Sequence, residues 1–372
     1  MSTLDEQVEK KRKEIHTDAY PMSIGEVVNI YIDNELDIHP EFQRAYRWTQ
    51  LQKSKLIESI LLGIPLPSFF VAQRDDGVWD VVDGLQRLAT IFSFLGIYKD
   101  EHNKVGPALE LIETEYLPGL KGKYWSEEFG KSCISKDLQR AFKREKIDLK
   151  IIKRESDKYT KYELFQRLNT LGSSLSDQEV RNCLLLMIDK TVYQWLMELS
   201  ENGDFKAVLP LTDRQLKEQY HVELALRFLI LKDIDIVNIG DLSDMGDFLT
   251  EGMRTLASDI TSGTLNKEVE SQKFSKTFKM LNTALGENAF KRFKEDRYSG
   301  PFSLATFEAI GLGLGHHIDQ YYEGNQDHLG KIQEASKQLG RNEVFVSNTI
   351  PGNKASKRLP NILPIGRELL KI

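Results

Sequence analysis

The segment VVDGLQRLATI, residues 81–91, places an acid, a glycine, an amide and an arginine at one bend of the chain. The residues before it, VWDVV, are β-branched and aromatic, and those after it repeat apolar side chains at helical spacing, so the bend is predicted to join a strand to a helix. A helix start exposes unpaired N–H groups and the positive end of the helix dipole. The sequence therefore predicts an anion site at residues 83–87, called the corner below.

Each polar residue of the corner has a role in phosphate chemistry. Gly84, lacking Cβ, lets a bulky anion approach the backbone, and the planar fork of Arg87 can grip phosphate oxygens. Gln86 lies in the first helical turn, where side chains lean back toward the N-terminus, and can position water. Asp83 can accept from a ribose hydroxyl or a nucleobase, hold a metal or position water. These residue types fit phosphoryl transfer, in which the protein positions the reacting groups and stabilises the charge of the transition state.

A purely structural corner is the alternative. Asp83 would then cap the helix and form an ion pair with Arg87, four residues later, worth about 0.3–0.5 kcal/mol. A second cationic cluster, Arg44 and Arg47 in FQRAYRW, favours the anion site, because in a compact sheet this segment can reach the same edge. The residues alone leave both interpretations open.

Composition restricts the class of protein. A chain of 372 residues favours two domains, and its 40% hydrophobic and 28% charged residues are typical of a globular protein. The net charge of −6 argues against sequence-blind nucleic-acid binding over the whole surface, although residues 140–155 and 341–372 each carry a local net charge of +4. The tail could contact DNA through Lys354, Lys357 and Arg358; a solvated surface is the alternative.

No targeting segment or metal motif is expected. The charged N-terminus lacks the apolar stretch of a secretory signal, and no stretch approaches the ~20 apolar residues of a membrane span. Cys133 and Cys183 lie in no CxxC or Cys/His cluster. His316 and His317 are adjacent in an apolar helix and so do not share a face. A cytoplasmic protein without a metal site of its own is predicted.

The predicted elements come from local signals. Ser23, Thr49 and Ser176 are each followed three residues later by Glu or Gln, the capping-box pattern of a helix start. SFFVAQ and VWDVV, joined by RDDG, predict a hairpin, and KIDLKIIKR predicts a further strand. Residues 97–146 predict a loop-rich insertion with short helices, and the chain from about residue 190 has helical periodicity.

Three blocks of the sequence together resemble one family. FQRAYRWTQLQKSKLIESILLGIPLPSFFV, WDVVDGLQRLATIFSFL and FQRLNTLGSSLSDQEVRN, within roughly residues 20–185, are similar to the GmrSD N-terminal domain family, the DGQQR-motif proteins of bacterial anti-phage defence. The resemblance implies a ParB/sulfiredoxin-like domain with a small mixed sheet over residues 20–185. With a charged helical leader over residues 1–19 and, from its periodicity, a helical domain over 186–372, an α+β protein is predicted.

The resemblance also implies a site. Asp83, Gly84, Gln86 and Arg87 fall on the phosphate-binding positions, with Asp83, Gln86 and Arg87 as the catalytic residues. The facing arginine block contributes three further phosphate-binding residues, Gln43, Arg44 and Arg47. One position departs from the family, because Leu85 stands where the first glutamine of DGQQR is usual; this puts hydrolysis in doubt and leaves binding intact.

The third block carries further implied site residues. By resemblance, Arg167, Asn169 and Glu179 help to build the site or the domain junction. Helix capping around Gly172 and Ser176 is the alternative.

The resemblance implies a nucleotide-binding module of a defence system that senses or acts on foreign or modified DNA. Whether the module hydrolyses the NTP or only binds it is left open. Its cofactor would be an NTP of open base identity with Mg²⁺. Its partners would be DNA, an effector nuclease in trans and a second copy of the chain, without a membrane. The seven histidines form no HNH-like motif and no P-loop is present. A non-catalytic DNA-binding regulator, and a nuclease acting through N-terminal acidic residues, are the alternatives.

Overall fold

The chain divides into two compact units, residues 1–174 and 175–372. The structure, a computed structural model, describes residues 3–4, 17–38, 48–100, 103–153, 176–236, 244–349 and 353–372. Each unit is described by itself below.

The first unit is a mixed α+β domain. Its elements are β1 (Thr17–Ser23), α1 (Ile24–Ile32), β2 (Leu36–Asp37), α2 (Gln50–Leu61), β3 (Phe69–Gln73), β4 (Trp79–Asp83), α3 (Leu85–Phe94), α4 (Lys136–Arg144) and β5 (Lys146–Ile152). The strands form one five-stranded sheet in the order β1-β5-β3-β4-β2. The pairs β1/β5 and β3/β4 are antiparallel, whereas β5/β3 and β4/β2 are parallel. The predicted small mixed sheet is confirmed.

The helices of this unit begin where the sequence predicts. Ser23 caps α1 by accepting from the Glu26 backbone N–H, and Thr49 with Gln52 forms a complete capping box at α2. Each cap satisfies amides that would otherwise lack a partner. The predicted hairpin is β3–β4, with a register shift between Phe70 and Val71.

The core of the first unit lies between the sheet and its helices. α3 buries Leu88, Ile91 and Phe92, and the Phe92 ring stacks on Tyr31 of α1 with centroids 4.1 Å apart. Burial of such apolar surface contributes about 25 cal/mol per Å² to the free energy of unfolding. The corner is therefore attached to one of the most buried helices of the domain.

The second unit is predominantly helical. Its helices are α5 (Asp177–Ile188), α6 (Lys190–Ser200), α7 (Gly203–Ala207), α8 (Asp213–Lys217), α9 (Tyr220–Leu231), α10 (Met245–Thr261), α11 (Lys267–Leu285), α12 (Leu304–Thr306), α13 (Leu312–His317), α14 (Gln326–Arg341), α15 (Glu343–Asn348) and α16 (Ala355–Leu369). A π-helical turn, Phe307–Gly311, joins α12 to α13. A short hairpin, β6 (Arg292–Lys294) and β7 (Arg297–Ser299), is the described β structure of this unit. The predicted α+β class with a helical C-terminal region is confirmed.

Two local predictions need correction. The helical leader was predicted to reach residue 19, but residues 17–19 belong to β1, which pairs along its length with β5. Helical periodicity was also predicted through residue 293, whereas α11 ends at Leu285 and Arg292 begins β6. In both places a strand pairs with a partner, and tertiary pairing overrides local propensity.

Candidate functional site

The corner is a strand-to-helix turn, as predicted. β4 ends at Asp83 and α3 begins at Leu85, with Gly84 as the N-cap in the left-handed region at φ 101°. Gly84 has no side chain with which to cap this helix. The structural alternative had Asp83 as the cap, and this part of it is wrong, because glycine takes the cap position with a backbone conformation that aspartate adopts only at a cost.

Gly84 is required for a reason that the sequence did not show. A Cβ on this residue would stand 2.4 Å from Cδ1 of Phe69, far inside van der Waals contact. The missing Cβ thus makes room for a ring of the domain's own β3. The prediction was that an anion uses the space beside Gly84. On the side where a Cβ would stand, the Phe69 ring fills that space instead.

Arg87 is held by the protein on several sides. Its Nη1 donates to the Pro67 carbonyl oxygen, and its Nη2 donates to the Ser68 carbonyl oxygen at 3.2 Å and to Asp83 Oδ2 at 3.0 Å. The Arg87 side chain is 12% exposed. Burial lowers the pKa of Arg87, and the neighbouring Asp83 charge opposes this. The Asp83–Arg87 pair of the structural alternative is present, and Arg87 ties α3 to the segment that enters β3.

Five other residues of the predicted site and domain junction cannot be compared with the structure. Gln43, Arg44 and Arg47 lie outside the described residues, as do Arg167 and Asn169. Of the residues predicted at the corner, Asp83 and Gln86 are partly exposed beside Arg87, and Leu85 occupies the first helical position. The structure therefore brings Asp83, Gly84, Gln86 and Arg87 together at one turn.

Glu179 performs the alternative, structural role. Its Oε2 accepts from the backbone N–H of Ser176 at 2.8 Å, and Ser176 Oγ accepts from the Glu179 backbone N–H at 3.3 Å, which completes a capping box at the start of α5. The side chain is buried in the second unit. Helix capping accounts for its position.

The arginines of the basic tail are used inside the second unit. Arg358 Nε donates to Glu308 Oε2 at 2.8 Å, and Arg367 Nη2 donates to the carbonyl oxygens of Lys232 and Ile234. Lys354 and Lys357 are exposed. Of the three residues predicted to contact DNA, Arg358 is thus committed to a buried carboxylate.

The two adjacent histidines have separate partners. His316 Nδ1 lies 2.9 Å from Asp233 Oδ1, whereas His317 Nε2 lies 2.9 Å from the Arg367 carbonyl oxygen. Within the part of the chain that the structure describes, no group of three or more His, Cys, Asp and Glu side chains is placed to hold a metal ion.

One polar cluster, which joins three strands of the sheet, was missed by the sequence analysis. Arg74, at the end of β3, forms ion pairs with Asp37 of β2 and Asp80 of β4, and Asp80 is buried. The carboxylates raise the pKa of Arg74 against the opposing effect of its burial. The signal is weak in sequence because Asp37 lies 37 residues before Arg74. The cluster fixes the β2 edge of the sheet to β3.

Comparisons with known proteins give one match. Residues 24–186 match the family model described as GmrSD restriction endonuclease, N-terminal domain. Neither the curated proteins nor the solved structures contain a match to this chain. Among the described residues, no helix combines the length and the apolar character needed to cross a bilayer. Residues 24–186 are thus similar to the GmrSD N-terminal domain family.

Proposed function

We propose that this GmrSD-like N-terminal domain binds a nucleoside triphosphate with Mg²⁺ at the corner, as the nucleotide-binding module of a restriction-type defence system that acts on foreign or modified DNA. The family description indicates a restriction-type defence protein. The observation that carries the nucleotide proposal is the uncapped start of α3 behind the left-handed Gly84, next to the Asp83–Arg87 pair.

The contacts divide the work among the corner residues. The first-turn amides of α3 would bind phosphate oxygens, because Gly84 provides no side-chain cap and these donors stand at the positive end of the helix. Arg87 has two carbonyl partners that hold it in place, while its Nη2 is shared between Ser68 and Asp83. A phosphate competes with Asp83 for this Nη2, and the displaced carboxylate becomes available to Mg²⁺.

The remaining charge would come from the arginine block. Gln43, Arg44 and Arg47 are proposed as phosphate contacts, and Gln86 as the residue that positions water. The Leu85 side chain cannot hydrogen-bond the attacking water. We therefore expect this chain to bind the nucleotide but to hydrolyse it slowly. DNA, an effector nuclease in trans and self-association remain proposed partners.

Thermal unfolding tests the proposal. The melting temperature is measured for the wild type and Arg44→Ala with ATP, GTP, CTP and UTP, each with and without Mg²⁺. A ligand at a hundred times its Kd stabilises by about 2.7 kcal/mol, which raises the Tm of a large domain by several degrees. We expect one nucleotide to raise the Tm of the wild type and to lose most of this effect in Arg44→Ala.

Arg140→Ala is the matched control, since Arg140 is an exposed arginine of the same unit, paired only with Asp137 among the described residues. It should keep the nucleotide shift. No shift of the wild type with any of the four nucleotides would refute nucleotide binding. Phosphate release, measured next with the nucleotide that binds, separates turnover from binding.

A further inference from the structure

The second unit contains a cavity of about 440 Å³ between the β6–β7 hairpin and the start of α16. Its lining includes Arg292, Ser299, Phe302, Ser303, Asn353 and Arg358. Two arginines line this cavity, and no acidic side chain is among the described residues that do so. The volume is within the range of small-molecule sites in proteins.

Arg292 is a cation with unused donors. It donates from Nη2 to the Thr349 carbonyl oxygen at 2.9 Å. Among the described residues it forms no ion pair, although it is only partly exposed. A half-buried guanidinium that lacks a carboxylate favours an anion beside it, because burial makes its charge costly without a counter-charge.

Arg358 adds a second guanidinium that is rigidly held. Two of its nitrogens donate to Glu308, at 2.8 and 2.9 Å, and Nη1 donates to the Asn353 carbonyl oxygen at 3.3 Å. Glu308 is fully buried and also pairs with Arg227 at 3.4 Å. Arg227 also pairs with Glu223 at 2.9 Å, so Glu308 mainly neutralises Arg358, and Arg292 gives the cavity wall its net positive charge.

The cavity also offers a hydrogen-bond donor and an aromatic surface. Ser303 Oγ accepts from both the backbone N–H and Oγ1 of Thr306, at 3.3 and 2.9 Å, so its own hydroxyl hydrogen is left for another acceptor. Phe302 is half-buried, with its ring meeting Tyr220 and Phe290 edge to face. The ring also contacts Phe307, and the part of Phe302 that lines the cavity is the apolar surface available to a ligand.

We propose that this cavity binds a nucleoside phosphate, with the phosphate between Arg292 and Arg358 and the base against Phe302. Arg292, together with the N–H groups of Arg358 that Glu308 and Asn353 leave unused, suits phosphate oxygens, and a flat aromatic ring suits a nucleobase. The ligand is either a free mononucleotide or one nucleotide of a DNA strand, and the same contacts serve both. This site is separate from the corner of the first unit and does not depend on it.

Hydrogen exchange of the full chain locates binding. The exchange of backbone amides is measured with dAMP, with a single-stranded oligodeoxynucleotide and with inorganic phosphate alone. We expect slower exchange in peptides covering residues 292–306 and 353–358. Protection by dAMP indicates a free nucleotide, and protection by the oligonucleotide alone indicates a strand. Protection of residues 83–90 reports on the corner separately, so the two proposals succeed or fail independently.

Arg292→Gln should raise the Kd of the protecting ligand about tenfold, as expected for the loss of one charge-assisted contact. Arg297→Gln is the matched control, because Arg297 is an exposed arginine of the same hairpin that does not line the cavity. Unchanged exchange in these peptides with every probe would overturn the proposal. So would protection that survives Arg292→Gln, or equal protection by inorganic phosphate, which would leave an anion site without a nucleoside.

Discussion

The Arg87 guanidinium lies over the ring of Phe69, with its Cζ 4.3 Å from the ring centroid. The same ring occupies the space beside Gly84 where a Cβ would stand. One aromatic side chain of β3 thus contacts both the cap residue and the arginine of the corner. The packing of these residues makes the corner a rigid part of the domain core.

Gly84→Ala should lower the free energy of unfolding by about 2–5 kcal/mol, since the left-handed backbone and the clash with Phe69 add. Gly77→Ala is the matched control: Gly77 has φ 91° but open space around the position of a Cβ. It should lose only the backbone share, about 1–2 kcal/mol. Urea unfolding measures both, and equal losses would show that Phe69 yields to the methyl group.

Arg87→Ala should destabilise the ligand-free protein by about 2–4 kcal/mol, because the carbonyl oxygens of Pro67 and Ser68 lose their donors and Asp83 loses its partner. Arg140→Ala, at an exposed arginine, should have little effect. The melting temperature without nucleotide decides this. An unchanged Tm for Arg87→Ala would mean that Arg87 is available for ligand binding alone.

Glu308→Gln should destabilise the second unit by about 3–5 kcal/mol, because Arg227 and Arg358 would lose a shared buried carboxylate. Hydrogen exchange of peptides from residues 175–372, measured at rising urea, follows the unfolding of this unit, because three tryptophans of the first unit would add to the fluorescence of Trp195. Glu113→Gln, which removes an exposed ion pair with Lys121, serves as the control and should leave the midpoint unchanged. A midpoint for Glu308→Gln equal to that of the wild type would contradict the prediction.

The stability of the second unit should fall as the pH is lowered below about 6.5. Burial lowers the pKa of His317, partly offset by its hydrogen bond to the Arg367 carbonyl oxygen, and the cations Arg367 and Lys371 lower it further. The unfolded chain therefore binds the proton at a higher pH than the folded one, and the stabilisation present above pH 6.5 is lost as the pH falls through the lowered pKa.

The comparison of wild type with His317→Gln isolates this contribution. Urea midpoints are measured from pH 7.5 to 5.5 in both, and the difference between them should shrink toward low pH. A difference that stays constant over this range would show that His317 does not gain its proton on unfolding.

Local signals predicted the helix starts and the hairpin, because these depend on residues close in sequence. The capping pairs Thr49–Gln52 and Ser176–Glu179 are three residues apart, and both are present. The Asp83–Arg87 pair follows from the same logic at a spacing of four. In each case the interacting groups lie within one helical turn, where sequence spacing decides contact.

Long-range contacts account for what was not predicted. β1 has the sequence TDAYPMS, with a proline and no clear alternation, and it becomes a strand by pairing with β5 at the sheet edge, where proline is tolerated. The position of Phe69 beside Gly84 likewise depends on the register of β3 with β4. The corner's backbone was therefore predictable from the sequence, and its immediate neighbours were not.

The ring of Phe69 also closes one side of the corner. Because this aromatic side chain fills the flank of Gly84, any ligand of the corner would have to approach the α3 amides from a side other than that of β3.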